Sequence, residues 1–64
     1  MQNTEHAFFE VGYRVGRACA LKQVNAMRNH RHHYAEMLDQ EDRAEWSYCD
    51  RLYRQGYAEG LASN

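Results

Sequence analysis

Phe8-Phe9-Glu10-Val11-Gly12-Tyr13-Arg14-Val15-Gly16 returns 44 residues later as Leu52-Tyr53-Arg54-Gln55-Gly56-Tyr57-Ala58-Glu59-Gly60. Both copies read as an aromatic residue, two further residues, then Gly-Tyr-x-x-Gly. Glycine inside a helix costs about 1 kcal/mol relative to alanine, so glycines repeated at i,i+4 need a reason. The line Gly12, Gly16, Ala20 supplies one: a groove of small residues that lets another helix approach closely. Gly56 and Gly60 read the same way, with Gly60 alternatively marking the end of the last helix.

Between these two segments nothing punctuates the chain, because proline is absent and no glycine falls between positions 17 and 55. That favours long helices. At about 100° per residue, residues 5–28 align Phe8, Val11, Gly12, Val15, Ala18, Cys19 and Ala26, and Phe9, Tyr13, Gly16, Ala20, Val24 and Met27 widen that stripe on one flank. Residues 33–61 align Tyr34, Met37, Leu38, Ala44, Tyr48, Cys49, Leu52 and Gly56, with Ala35, Trp46, Tyr53 and Tyr57 on a flank. The expected fold class is all-α, a single-domain antiparallel two-helix hairpin: helix 1 about 5–28, turn 29–33, helix 2 about 33–61. A variant breaks the second helix near residue 39 and restarts it with Asp39 as N-cap, giving a third helix.

Both apolar arcs are wider than one seam requires. A chain of 64 residues buries only about 60% of the surface its unfolded form exposes, so a second copy is the expected source of further burial. The hairpin is therefore expected to form a homodimer resembling a four-helix bundle, with Phe8, Val11, Gly12, Val15, Gly16, Leu52 and Gly56 in helix or dimer packing. Lys22 interrupts the stripe of helix 1, and Glu41 and Glu45 interrupt that of helix 2. With the turn at 29–33 these interruptions meet, which predicts an ion pair from Lys22 to Glu41 or Glu45 that fixes register.

Cys19 and Cys49 stand 30 residues apart among apolar neighbours, a spacing that suits neither a disulfide framework nor a zinc finger. Buried reduced thiols are the expected state, a Cys19–Cys49 bridge the alternative. The first six residues lack the basic region and apolar run of a signal peptide, and no stretch approaches about 18 apolar residues. The expectation is a cytoplasmic protein that does not engage a membrane.

Net charge is −1 but unevenly spread. Residues 1–33 carry five cations (Arg14, Arg17, Lys22, Arg28, Arg31) against Glu5 and Glu10. Residues 34–64 carry Arg43, Arg51 and Arg54 against seven acids (Glu36, Asp39, Glu41, Asp42, Glu45, Asp50, Glu59). The halves complement each other.

Catalytic equipment is sparse: serine occurs only at 47 and 63, there is no glycine-rich phosphate loop, and no Cys/His pair is set to activate a nucleophile. The chain reads as no enzyme, with no cofactor. His30, His32 and His33 are weak metal candidates on the expected turn, where a solvated, mildly pH-sensitive loop is the simpler reading. Recognition chemistry is better represented. Seven arginines stand against one lysine, and five tyrosines against two phenylalanines and one tryptophan. Arginine, tyrosine and tryptophan are the types enriched at interface hot spots, since they bury area behind a polar tip.

Tyr13, Arg14, Arg17, Trp46, Tyr53 and Tyr57 are accordingly the expected partner-binding residues. The expected function is a small regulatory or inhibitory protein-binding module, of the size and type that phages and mobile elements direct at host proteins. An RNA- or DNA-binding dimer using a basic strip of Arg14, Arg17, Arg28 and Arg31 is the alternative; metal binding through the histidines is another.

In size and expected architecture the chain resembles the helical-hairpin RNA-binding dimers of the repressor-of-primer family, without a motif shared residue by residue. Its Gly-Tyr-x-x-Gly segments and Trp46 are similar to the ribosome modulation factor family, which implies ribosome binding. That family is strongly basic and contains prolines, and this chain departs from it on both counts.

Overall fold

A computed structural model describes residues 4–63. They form α1 (Thr4–Ala20), α2 (Val24–Asp39), a short 3-10 turn (Arg43–Glu45) and α3 (Trp46–Ala62). The all-helical expectation holds, but the two-helix hairpin becomes three helices, because the chain reverses twice at places other than residues 29–33.

The first reversal falls at residues 21–23. Lys22 takes a left-handed backbone, φ 59°. Its amide donates to the Cys19 carbonyl at 3.1 Å and that of Gln23 to the Ala18 carbonyl at 2.8 Å, the paired closure that ends a helix on a left-handed residue. Glycine usually occupies that position, and a lysine there gives no warning in the sequence. Gln23 then accepts the Met27 amide at 2.9 Å and α2 begins. The segment 29–33, expected as a turn, is the middle of α2.

The second reversal lies close to the expected break near residue 39. There α2 ends at Asp39, and the Gln40 and Glu41 amides fall back on the Met37 and Leu38 carbonyls. It is Asp42, not Asp39, that stands at the N-terminus of the new helical segment. Trp46 closes the corner from inside, donating its indole N–H to the Glu41 carbonyl at 3.2 Å.

With two reversals, α1 and α3 run parallel and α2 runs back between their ends. The glycines show the direction. A Cβ on Gly12 would collide with the Tyr53 backbone and one on Gly16 with the Tyr57 backbone; Gly56 faces the Phe9 backbone and Gly60 that of Tyr13. Position numbers rise together on both helices. Subtracting 44 from each α3 residue returns the mirrored contact: Gly12 on Tyr53 becomes Gly56 on Phe9, and Gly16 on the Leu61 amide becomes Gly60 on the Arg17 amide. The internal echo thus packs against itself about a local twofold axis that runs along the seam.

In each contact the hydrogen standing where a Cβ would be points toward a carbonyl of the facing helix. Cα–H···O contacts of this kind contribute about 0.5–1 kcal/mol each and offset the helical cost of glycine. Gly60 is therefore a packing residue two positions inside α3, not its stop.

Along the seam lie the buried side chains Phe8, Val11, Val15, Ala18 and Cys49; Phe8 and Val15 are each 1% exposed. No α2 residue is fully buried. This helix is held by reach: Tyr34 is edge-on to Phe8, ring centres 6.0 Å apart, and flat on Tyr53 at 3.8 Å.

Candidate interaction surfaces

The twofold of the α1–α3 pair gives it two sides of similar construction. On one, α2 covers Phe8, Val11 and Val15 of α1 and Tyr53 and Tyr57 of α3. By the same symmetry the other side carries the counterparts: Phe9 and Tyr13 from α1, Leu52, Gln55 and Glu59 from α3.

On the covered side the tyrosines form a ladder. Tyr34 stacks on Tyr53 with an interplanar angle of 11°, and Tyr53 on Tyr57 at 6.5 Å. The Tyr34 hydroxyl donates to Asp50 Oδ1 at 2.8 Å, and Arg54 Nε donates to Asp50 Oδ2 at 2.7 Å. Burial, then the bond to the Asp50 carboxylate, pushes the Tyr34 phenol well above its ordinary range. Burial opposes the charge on Asp50, but the hydrogen bonds from Tyr34 and Arg54 outweigh it and hold that carboxyl below the usual range. The Tyr57 hydroxyl donates to Cys19 Sγ at 3.8 Å, the first cause of its raised pKa.

Of the six expected partner-binding residues, this structure gives three an internal task. Tyr53 stacks under Tyr34 of α2, and Tyr57 stacks on Tyr53 and bonds to Cys19 of α1. Trp46 is half-buried, bonded to Glu41 and capped by the Arg43 guanidinium 4.9 Å from its ring centre. Tyr34 and Asp50, which join the two helices, were not among the candidates: their partnership spans 16 residues, and no local pattern signals it.

Of the other three, Tyr13 and Arg17 lie on or beside the uncovered side, whereas Arg14 lines the groove between α1 and α2. Tyr13 is half-buried; Arg14 is exposed and paired with Glu10 at 3.1 Å. Arg17 is exposed, its Nη1 donating to Ser63 Oγ at 3.4 Å. Phe9 and Leu52 are half-buried and Tyr48 is 42% exposed, its hydroxyl donating to the Glu5 carboxylate. That bond is the main reason the Tyr48 phenol is raised.

The predicted ion pair is not formed. Lys22 sits in the turn at the C-terminal end of α1, whereas Glu41 and Glu45 line a groove with Thr4, Glu5 and Phe8 at its N-terminal end. A reversal at 29–33 would bring them together; the reversal at 21–23 separates them by the length of the bundle. The cysteines are free, and with α1 and α3 parallel they stand at opposite ends of the seam, which rules out a bridge between them. Burial, followed by the Glu41 and Glu45 charges, raises the Cys49 thiol and makes it unreactive.

His30, His32 and His33 ride on α2. His32 and His33 face the Glu36 carboxylate at 3.4 and 4.0 Å, while His30 and His33 line an open groove of about 600 Å³ between α1 and α2. Among the described residues no three His, Cys, Asp or Glu side chains converge as a metal site. No helix among them is long and apolar enough to cross a membrane.

Comparison with protein families, with characterised proteins and with solved structures finds no match to this chain. The likeness to helical-hairpin dimers does not extend to the fold, which has a third helix and a parallel seam. The Gly-Tyr-x-x-Gly segments have a structural task here: each glycine admits the other copy's backbone.

Proposed function

We propose that this chain is a protein-binding module, regulatory or inhibitory in effect, that works through the uncovered side of the α1–α3 pair. The observation that carries the reading is the group Phe9, Tyr13, Arg17, Tyr48 and Leu52. These are aromatic, arginine and aliphatic side chains left half-buried or exposed on a rigid two-helix platform whose other side is already filled. Such residues bury large area on association at little conformational cost when their backbone is fixed. Around that side the exposed cations Arg17 and Arg51 are interspersed with the exposed acids Glu5 and Glu59, a mixed field that suits a protein surface better than a polyanion.

Affinity capture from the lysate of the native host, read by mass spectrometry, tests the reading. A specific protein should be retained by the native chain and by a His30→Ala control, and lost with Tyr13→Ala plus Arg17→Ala. Equal retention by all three would sink it. Gel shifts form the second arm: nucleic-acid retention that falls steeply with salt, and is reduced by Arg14→Ala and Arg17→Ala, would replace protein with nucleic acid as the partner.

A further inference from the structure

We infer that the first occupant of the uncovered side is the same side of a second copy, laid antiparallel across it, α1 over α1 and α3 over α3. This rests on the reading of that side as a protein-binding surface and names what binds there.

Within the chain, the covered side shows what the uncovered one lacks. Phe8 is 1% exposed beneath Tyr34, whereas its counterpart Leu52 is only half-buried; Tyr53 is stacked under Tyr34, while among the described residues no ring stacks on its counterpart Phe9, although the two are equally half-buried. A standard interface takes about 800 Å² from each partner.

Self-complementarity selects the occupant. Val11 and Gln55 are counterparts at the 44-residue offset, so they lie at one level of the pair. Reversing the chain about that level exchanges Phe9 with Tyr13 and Glu5 with Arg17 on α1. On α3 it exchanges Arg51 with Glu59 and Tyr48 with Ala62. A single twofold axis crossing the helices at Val11 and Gln55 therefore stacks an aromatic on an aromatic, sets a large ring against a small residue, and opposes two pairs of unlike charge. Residue i meeting j while j meets i is the signature of an isologous interface. Unlike charges facing across the rim set register and disfavour other alignments.

Sedimentation or light scattering, at concentrations well above micromolar, should return twice the 7.6 kDa chain mass. Arg51→Glu and Glu59→Arg should each weaken the dimer roughly tenfold by setting like charges together, and the double variant should restore it. Within one chain these two positions are eight residues apart on α3, about 12 Å along the axis, so restoration has to come from the partner. Tyr13→Ala should weaken the dimer by more than about tenfold, with helical circular dichroism unchanged. A 7.6 kDa mass throughout overturns the second copy. A dimer that the double variant fails to restore overturns the antiparallel arrangement. The capture experiment reads the protein-binding reading separately: a monomer that still loses its partner with Tyr13→Ala plus Arg17→Ala leaves that reading standing without this one.

Discussion

The seam between α1 and α3 and the attachment of α2 to that pair are made of different material. At the seam the contact is backbone on backbone: four glycines each admit a carbonyl of the facing helix, and neither side has a rotatable bond with which to yield. In contrast, α2 is held by the tips of long side chains, Tyr34 above all, and contributes no fully buried residue. A contact built from backbone sets its spacing rigidly and tolerates no added atom. A contact built from side chains can be lost piece by piece, so the two should differ in stability as well as in composition.

The sharpest way to break the comparison is to add one methyl group. Gly56→Ala would place a Cβ 2.9 Å from the Phe9 carbonyl carbon and nearer still to its oxygen; Gly12→Ala would place one 2.8 Å from the Tyr53 carbonyl carbon. Such overpacking costs about 3 kcal/mol or more, comparable to the whole stability of a domain this small. Neither variant should show a cooperative thermal transition, while Ser47→Ala, at an exposed position of α3, should stay within about 0.5 kcal/mol of the native chain.

Tyr34→Ala comes next, at about 3 kcal/mol, and its effect should be local. Amide exchange should speed up along α2 while the seam amides of α1 and α3 remain protected; equal loss along all three helices would show one cooperative unit with no difference between seam and attachment.

Tyr34→Phe keeps the ring stack and removes the hydrogen bond to Asp50, for a loss of about 1–2 kcal/mol at neutral pH. The folded Asp50 pKa is depressed, so the bond's contribution is present above the ordinary carboxylate pKa and lost as pH falls through the lower folded value. Melting temperatures of the native and Tyr34→Phe chains should converge in acid. The opposite sign applies to the phenols: Tyr34 and Tyr53 are raised by burial, so their contribution is complete below about pH 10 and falls as pH rises through the folded values. Following phenolate absorbance and helicity together in alkali checks this.

The smallest effect is a gain. Lys22→Gly relieves a left-handed lysine and should stabilise the chain by about 1 kcal/mol, read as a higher melting temperature.

Much of this was legible in particular residues. Periodicity marked Phe8, Val11 and Val15 as an apolar stripe, and the glycine spacing called for a closely approaching helix. The break near residue 39 was visible in Asp39-Gln40-Glu41-Asp42, three acids in four residues where a new helix would start. Lys22 hid the other break, because a left-handed lysine has no sequence signature and its charge invited a salt-bridge reading. The histidine segment read as a turn only because a hairpin needed one midway. From that single error followed the misplaced ion pair and the antiparallel seam. The partner-binding candidates divided for a related reason: Tyr53 and Tyr13 share one chemistry and one helical spacing, and nothing local says which of them α2 will cover.

By itself, then, the sequence determined the helical class, the apolar stripes and the presence of two matching glycine segments, because these depend on neighbours within a few residues. Which helix enters the glycine groove, in which direction, and which aromatic side is left uncovered were decided by tertiary structure. Those outcomes turn on where the chain reverses, and a reversal held by one strained residue is affordable only once the helices it joins have packed.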